Sequence, residues 1–140
     1  MKSTFVVCEP QPPEHWQAAI EFPATTAAPQ AARRATAALL AAWDLADLRD
    51  DAALIVTELM TNALRHAPGT GHLEIVLVGD RHGVRICVPD NSPAIPVIGA
   101  LAPARSDGRG MRLVANLASE WGTEPRSGGK LVWARLQRAS

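Results

Sequence analysis

Apolar and polar positions alternate with a period of two near the start of the chain, where Trp16, Ala18, Ile20 and Phe22 are interleaved with Gln17, Ala19 and Glu21. That is the pattern of a half-buried strand, and Pro23 ends it. The period then changes. Residues 29–43 are alanine-rich and include Arg33 and Arg34, a composition of high helix propensity in which Pro29 is tolerated at the first turn. Asp44 or Asp47 is placed to cap a second helix. Its apolar stripe is Ala52, Ile55, Val56, Leu59 and Ala63, and it stops near Pro68-Gly69. Alternation returns at Leu73, Ile75 and Leu77, passes through the turn signal Gly79-Asp80-Arg81-His82-Gly83, and resumes at Val84, Ile86 and Val88, which reads as a hairpin.

Residues 91–104 hold Pro93, Pro96 and Pro103 with Gly99 between them, too many breakers for regular structure and long enough for a lid. A third helix over 110–118 is carried by Met111, Val114, Leu117 and Ala118. A short strand at 121–124, a turn at 127–130 and a closing strand at 131–136 complete the chain. Helices followed by hairpin strands, rather than repeating βαβ units, predict an α+β protein. The expected form is a two-layer α/β sandwich whose mixed, mostly antiparallel sheet is covered on one face by helices.

Composition narrows the class without naming a function. A chain of 140 residues is one ordinary domain, expected over 16–138 after a flexible proline-rich leader at 1–15. With 14 basic and 14 acidic residues the formal charge is zero, so nothing in the overall charge drives it toward nucleic acid or an anionic membrane. Cys8 and Cys87 make neither a disulfide framework nor a metal cluster. The apolar start is too short for a signal peptide, no apolar stretch reaches bilayer-spanning length, and a cytoplasmic protein is expected.

Chemistry concentrates in three segments. At roughly 100° per residue, Glu58, Asn62 and Arg65 share a narrow sector of helix two beside its apolar stripe. A helix that packs on a sheet and lines a pocket has that layout. A solvated face with a local Glu–Asn pair has it too. The Asn62 amide oxygen can complete the octahedral shell of Mg²⁺ without adding charge, which suits a metal already neutralised by phosphates. Glu58, one turn earlier, can accept a proton from a hydroxyl or hold a water near a terminal phosphate; the bland alternative is a salt-bridged carboxylate.

Asp90 follows a β-branched run and precedes Asn91-Ser92-Pro93. A carboxylate at a strand end can accept from an exocyclic amine and reject a base that offers a carbonyl, and the same residues also form an ordinary Asx turn. Gly108-Arg109-Gly110 opens the third helix, where free N–H groups and the dipole favour phosphate. With Leu113 at the third glycine position there is no dinucleotide fingerprint, and Gly128-Gly129-Lys130-Leu131 is no Walker A. His66 falls toward the apolar side of helix two and reads as a satisfied core histidine. Ser92 lacks the His/Asp arrangement for nucleophilic catalysis.

Taken together, the runs 58–67, 88–93 and 108–111 resemble, in order, the asparagine box and the two glycine boxes of the GHKL superfamily of ATP-binding domains, the Bergerat fold. Over residues 16–138 the chain looks most like the single-domain anti-sigma-factor serine/threonine kinases of actinobacteria. The resemblance implies ATP and Mg²⁺ as cofactors, Glu58 as the catalytic base and Asn62 as the metal ligand. It implies nucleotide contacts from Asn62, Arg65, Asp90, Ser92, Gly108, Arg109, Gly110 and Met111. Two departures stand out: Ser92-Pro93 replaces the usual Gly-x-Gly after the acid, and Leu131 replaces a threonine that in many relatives helps bind the acid and adenine. The expected function is a regulatory kinase acting as an anti-sigma factor. Its expected partners are a small antagonist protein and a sigma factor, with a homodimer as an option and no direct nucleic acid or membrane partner. The rival is a nucleotide-gated protein-binding module of the same fold without phosphotransfer.

Overall fold

The computed structural model describes residues 15–67, 71–92 and 106–139, with the backbone alone for 106–110. The expected leader at 1–15 therefore lies outside the described residues except for His15, and the expected lid lies outside them beyond Ser92.

Strand β1 (Trp16–Pro23) alternates half-buried and exposed positions along its whole length. Helix α1 (Ala28–Ala42) follows, with Pro29 in its first turn. Its end corrects one expectation. Asp44, offered above as an N-cap, has φ 59°, and it closes α1 instead. Leu45 N–H donates to Leu40 O at 2.7 Å and Asp44 N–H to Ala41 O at 3.3 Å, the paired bonds of a left-handed helix stop. Asp47 does not cap either. It sits in a single 3-10 turn, Ala46–Leu48, and its carboxylate accepts from Arg138 Nε at 3.2 Å. Helix α2 (Arg49–Arg65) thus starts without a side-chain cap, with Asp50 and Asp51 in its first turn complementing the helix dipole.

The expected hairpin is formed by β2 (His72–Asp80) and β3 (Gly83–Asp90), with Asp80 opposite Gly83. Helix α3 (Ser106–Leu117) begins four residues before the expected start. The run Ser106-Asp107-Gly108-Arg109 forms its first turn, so the glycine pair expected to open the helix lies within it. Strands β4 (Glu120–Arg126) and β5 (Gly129–Gln137) close the sheet, and Gly128 at φ 78° makes the turn between them.

The sheet order is β1-β2-β3-β5-β4, and every described pair is antiparallel. The sheet expected to be mostly antiparallel is wholly so among the described residues. The connection from β3 through α3 to β4 does join two strands of like direction, but β5 lies between them and separates them.

One face of the sheet carries the core. Leu73, Ile75, Leu77, Val84, Ile86, Val88, Val132, Ala134 and Leu136 meet Ala32 and Leu40 of α1, Ile55, Val56, Leu59 and Met60 of α2, and Met111 and Val114 of α3. These side chains are 7% exposed or less, and their period of two in strands and 3.6 in helices is what holds the layers in register. Among the described residues no helix is long and apolar enough to cross a membrane.

Candidate functional site

The core face of β3 runs Val84, Ile86, Val88, and its next position is Asp90. The core face of β5 runs Leu136, Ala134, Val132, and its next position is Lys130. The register places Asp90 and Lys130 opposite each other. Two apolar rows thus end on an acid and a base, each 5% exposed, beneath the C-terminal end of α2.

Asp90 is heavily solvated by protein. Its Oδ1 accepts from the Ser92 N–H at 2.8 Å, meets His66 Nδ1 at 2.9 Å, and lies 3.6 Å from Lys130 Nζ. Lys130 also donates to Ser92 O at 2.7 Å, and Asn91 Nδ2 donates to His66 O at 3.5 Å. Asp90 and the two residues after it are therefore tied at once to β5 and to the end of α2. Gly129 permits this closeness, because a Cβ there would run into the carbonyl oxygen of Asp90. A buried carboxylate is tolerated only where it is paired and hydrogen-bonded, and both conditions are met. Every described contact to the Asp90 carboxylate falls on Oδ1, so Oδ2 retains acceptor capacity.

On α2, Asn62 and Arg65 meet, with Arg65 Nη1 donating to Asn62 Oδ1 at 2.9 Å. Glu58 is half-buried and has no ion-pair partner among the described residues, so neither the Glu–Asn pair nor the salt-bridged carboxylate considered above is present. Gly108, Arg109 and Gly110 lie in the first turns of α3. The Met111 side chain is wholly buried in the core, where it anchors α3. Ser92 contributes its backbone to the turn at Asp90.

Two residues change role. His66 is the C-cap of α2 rather than a core residue; its side chain is 38% exposed and its ring turns to Asp90. Lys130, read above only as part of a turn, is the buried cation beside the acid. Its signal was present: at period two it continues the apolar face of β5, and a lysine there needs an anionic partner. Leu131 alternates to the other face of the sheet, opposite Pro89, so it is not the β5 residue beside Asp90.

The chain belongs to the histidine kinase-like ATPase domain family, whose model matches residues 22–136. It is an ATP-binding domain of the GHKL type, and its antiparallel sheet under three helices is the Bergerat fold. No curated protein matches the chain. The residues present suit the nucleotide and the Mg²⁺ that typically accompanies it. Asp90 offers a desolvated oxygen for a base amine. Asn62 offers a neutral oxygen suited to a metal whose charge phosphates already balance. Among the described residues no group of three His, Cys, Asp or Glu could hold a metal by itself.

Proposed function

We propose that this domain is a Mg²⁺-ATP-dependent regulatory serine/threonine kinase that acts as an anti-sigma factor by phosphorylating a small antagonist protein. The observation that carries the reading is the buried carboxylate of Asp90 at the end of β3 together with Glu58, half-buried and without an ion-pair partner among the described residues, one turn before Asn62. Asp90 selects the base, Asn62 holds the metal, Arg65 and the start of α3 meet the phosphates, and Glu58 accepts the proton of the attacking hydroxyl. Bound Mg²⁺-ATP supplies the transferable phosphoryl group. A single small domain has little surface to orient a protein hydroxyl in line, so the substrate protein supplies much of that geometry. Hydrolysis by the isolated domain is accordingly negligible. Radiolabelled ATP mixed with the domain and candidate antagonists encoded nearby is the test: label moves to the cognate antagonist, and Glu58→Gln stops the transfer.

One observation favours a second reading, a nucleotide-gated protein-binding module without phosphotransfer. Arg65 occupies the Asn62 oxygen that the metal requires. If ATP binds and a partner complex forms but no label moves to any candidate, that module is the better description.

A further inference from the structure

We propose that His66 is a positioning residue for base selection, fixing the Asp90 carboxylate so that Oδ2 faces the incoming exocyclic amine; this rests on the ATP reading above. Asp90, as a carboxylate, has only lone pairs to offer, so the 2.9 Å contact assigns the proton to His66 Nδ1. The ring and the Ser92 amide draw on the same oxygen, Oδ1, and Lys130 Nζ lies nearest to it as well. Two hydrogen bonds on one oxygen, with the Lys130 charge 3.6 Å from it, fix the torsion of the carboxylate and leave the other oxygen as the directional acceptor. His66 is the most exposed side chain of the three. The Ser92 amide is backbone, and the Lys130 side chain is 6% exposed and tied to Ser92 O, whereas the His66 ring is 38% exposed.

The position of His66 gives it a further consequence. It caps α2, one residue after Arg65 and four after Asn62. Its carbonyl receives Asn91 Nδ2 while its ring holds Asp90. The helix that carries the metal and phosphate residues is thereby joined through one residue to the acid that reads the base. The chemical class selected is a purine triphosphate bearing a 6-amino group.

The test compares ATP with purine riboside triphosphate, which lacks only that amino group. The wild-type domain binds ATP about tenfold or more tighter. His66→Ala weakens ATP about tenfold and leaves the analogue unchanged, so the ratio falls toward one; His66→Asn, which restores an N–H donor near Nδ1, recovers most of it. A readout without nucleotide accompanies this: ¹⁵N spectra place the His66 ring proton on Nδ1 in the wild type, and the signature is lost in Asp90→Ala. If Asp90→Ala abolishes the discrimination while His66→Ala preserves it, or if the ring signature ignores Asp90→Ala, the positioning role is overturned and the ATP reading stands. If the ring signature is present but the wild type binds neither nucleotide, the ATP reading fails and this role fails with it.

Discussion

A lysine with 5% exposure persists in a protein interior only where its charge is answered, and Lys130 is answered by Ser92 O and Asp90. Removing one partner of such a pair leaves a buried charge uncompensated, at a cost of about 3–5 kcal/mol. Lys130→Met is therefore expected to lower the urea midpoint strongly at unchanged m-value, and Lys130→Met with Asp90→Asn to recover a large part of the loss. On α2 the proposed roles separate. Asn62→Ala is expected to remove the Mg²⁺ dependence of nucleotide binding, and Glu58→Gln to leave binding nearly intact and suppress the proposed transfer, since a base acts chiefly in the transition state. Equal loss of binding in both variants, measured by titration, means that Glu58 is structural. Glu58, Asn62 and Asp90 could be singled out in the chain because each stands in a run of distinctive spacing. The contacts of Lys130 and His66 could not, because they depend on register and on the helix end: one is brought to Asp90 by cross-strand pairing, the other by the point at which α2 stops.

Among the elements, the strands were the most readable part, because burial on one face forces a period of two that a slip of one residue would invert. Helix ends were less so. An aspartate after a helix serves as an N-cap for the next helix or as the left-handed stop of the last, and the chain alone did not distinguish them at Asp44. A non-glycine residue in that conformation costs of order 1–3 kcal/mol, most for branched side chains. Asp44→Ile is expected to destabilise by about that amount in thermal or urea unfolding, with Asp44→Gly neutral or stabilising. The β2–β3 turn depends on another acid. Asp80 Oδ1 accepts from the amides of His82 at 2.7 Å and Gly83 at 3.0 Å, and Arg135 lies 3.6 Å away. Burial alone would raise the Asp80 carboxyl, but the two amides and Arg135 outweigh it and hold it below its ordinary 3.8. A lowered folded-state value means a contribution present above the unfolded value and lost as pH falls through the folded one. The stability gap between the parent and Asp80→Asn is thus expected to be full at neutral pH and to close below pH 3.8. A gap independent of pH assigns the turn to its backbone alone.

Across the whole molecule, the topology decides where chemistry is possible. Placing β5 between β3 and β4 sets the ends of two core rows side by side, and α2 ends over them. Apolar burial holds the layers, while the buried charged side chains among the described residues, Asp90 and Lys130, meet at that one end of the sheet. A ligand that binds only this folded arrangement stabilises it by mass action, about 2.7 kcal/mol at a hundredfold excess over Kd. Mg²⁺-ATP is therefore expected to raise the melting temperature and GTP to leave it nearly unchanged. Calorimetric titration of ATP and GTP, with and without Mg²⁺, into the parent and into Asp90→Asn tests base selection by this site most directly. ATP is expected to bind the parent in preference to GTP, more tightly with Mg²⁺, and to lose most of its affinity for a variant that stays folded. Equal affinity for the two bases, an unchanged titration in Asp90→Asn, or no binding of ATP at millimolar concentration would contradict it.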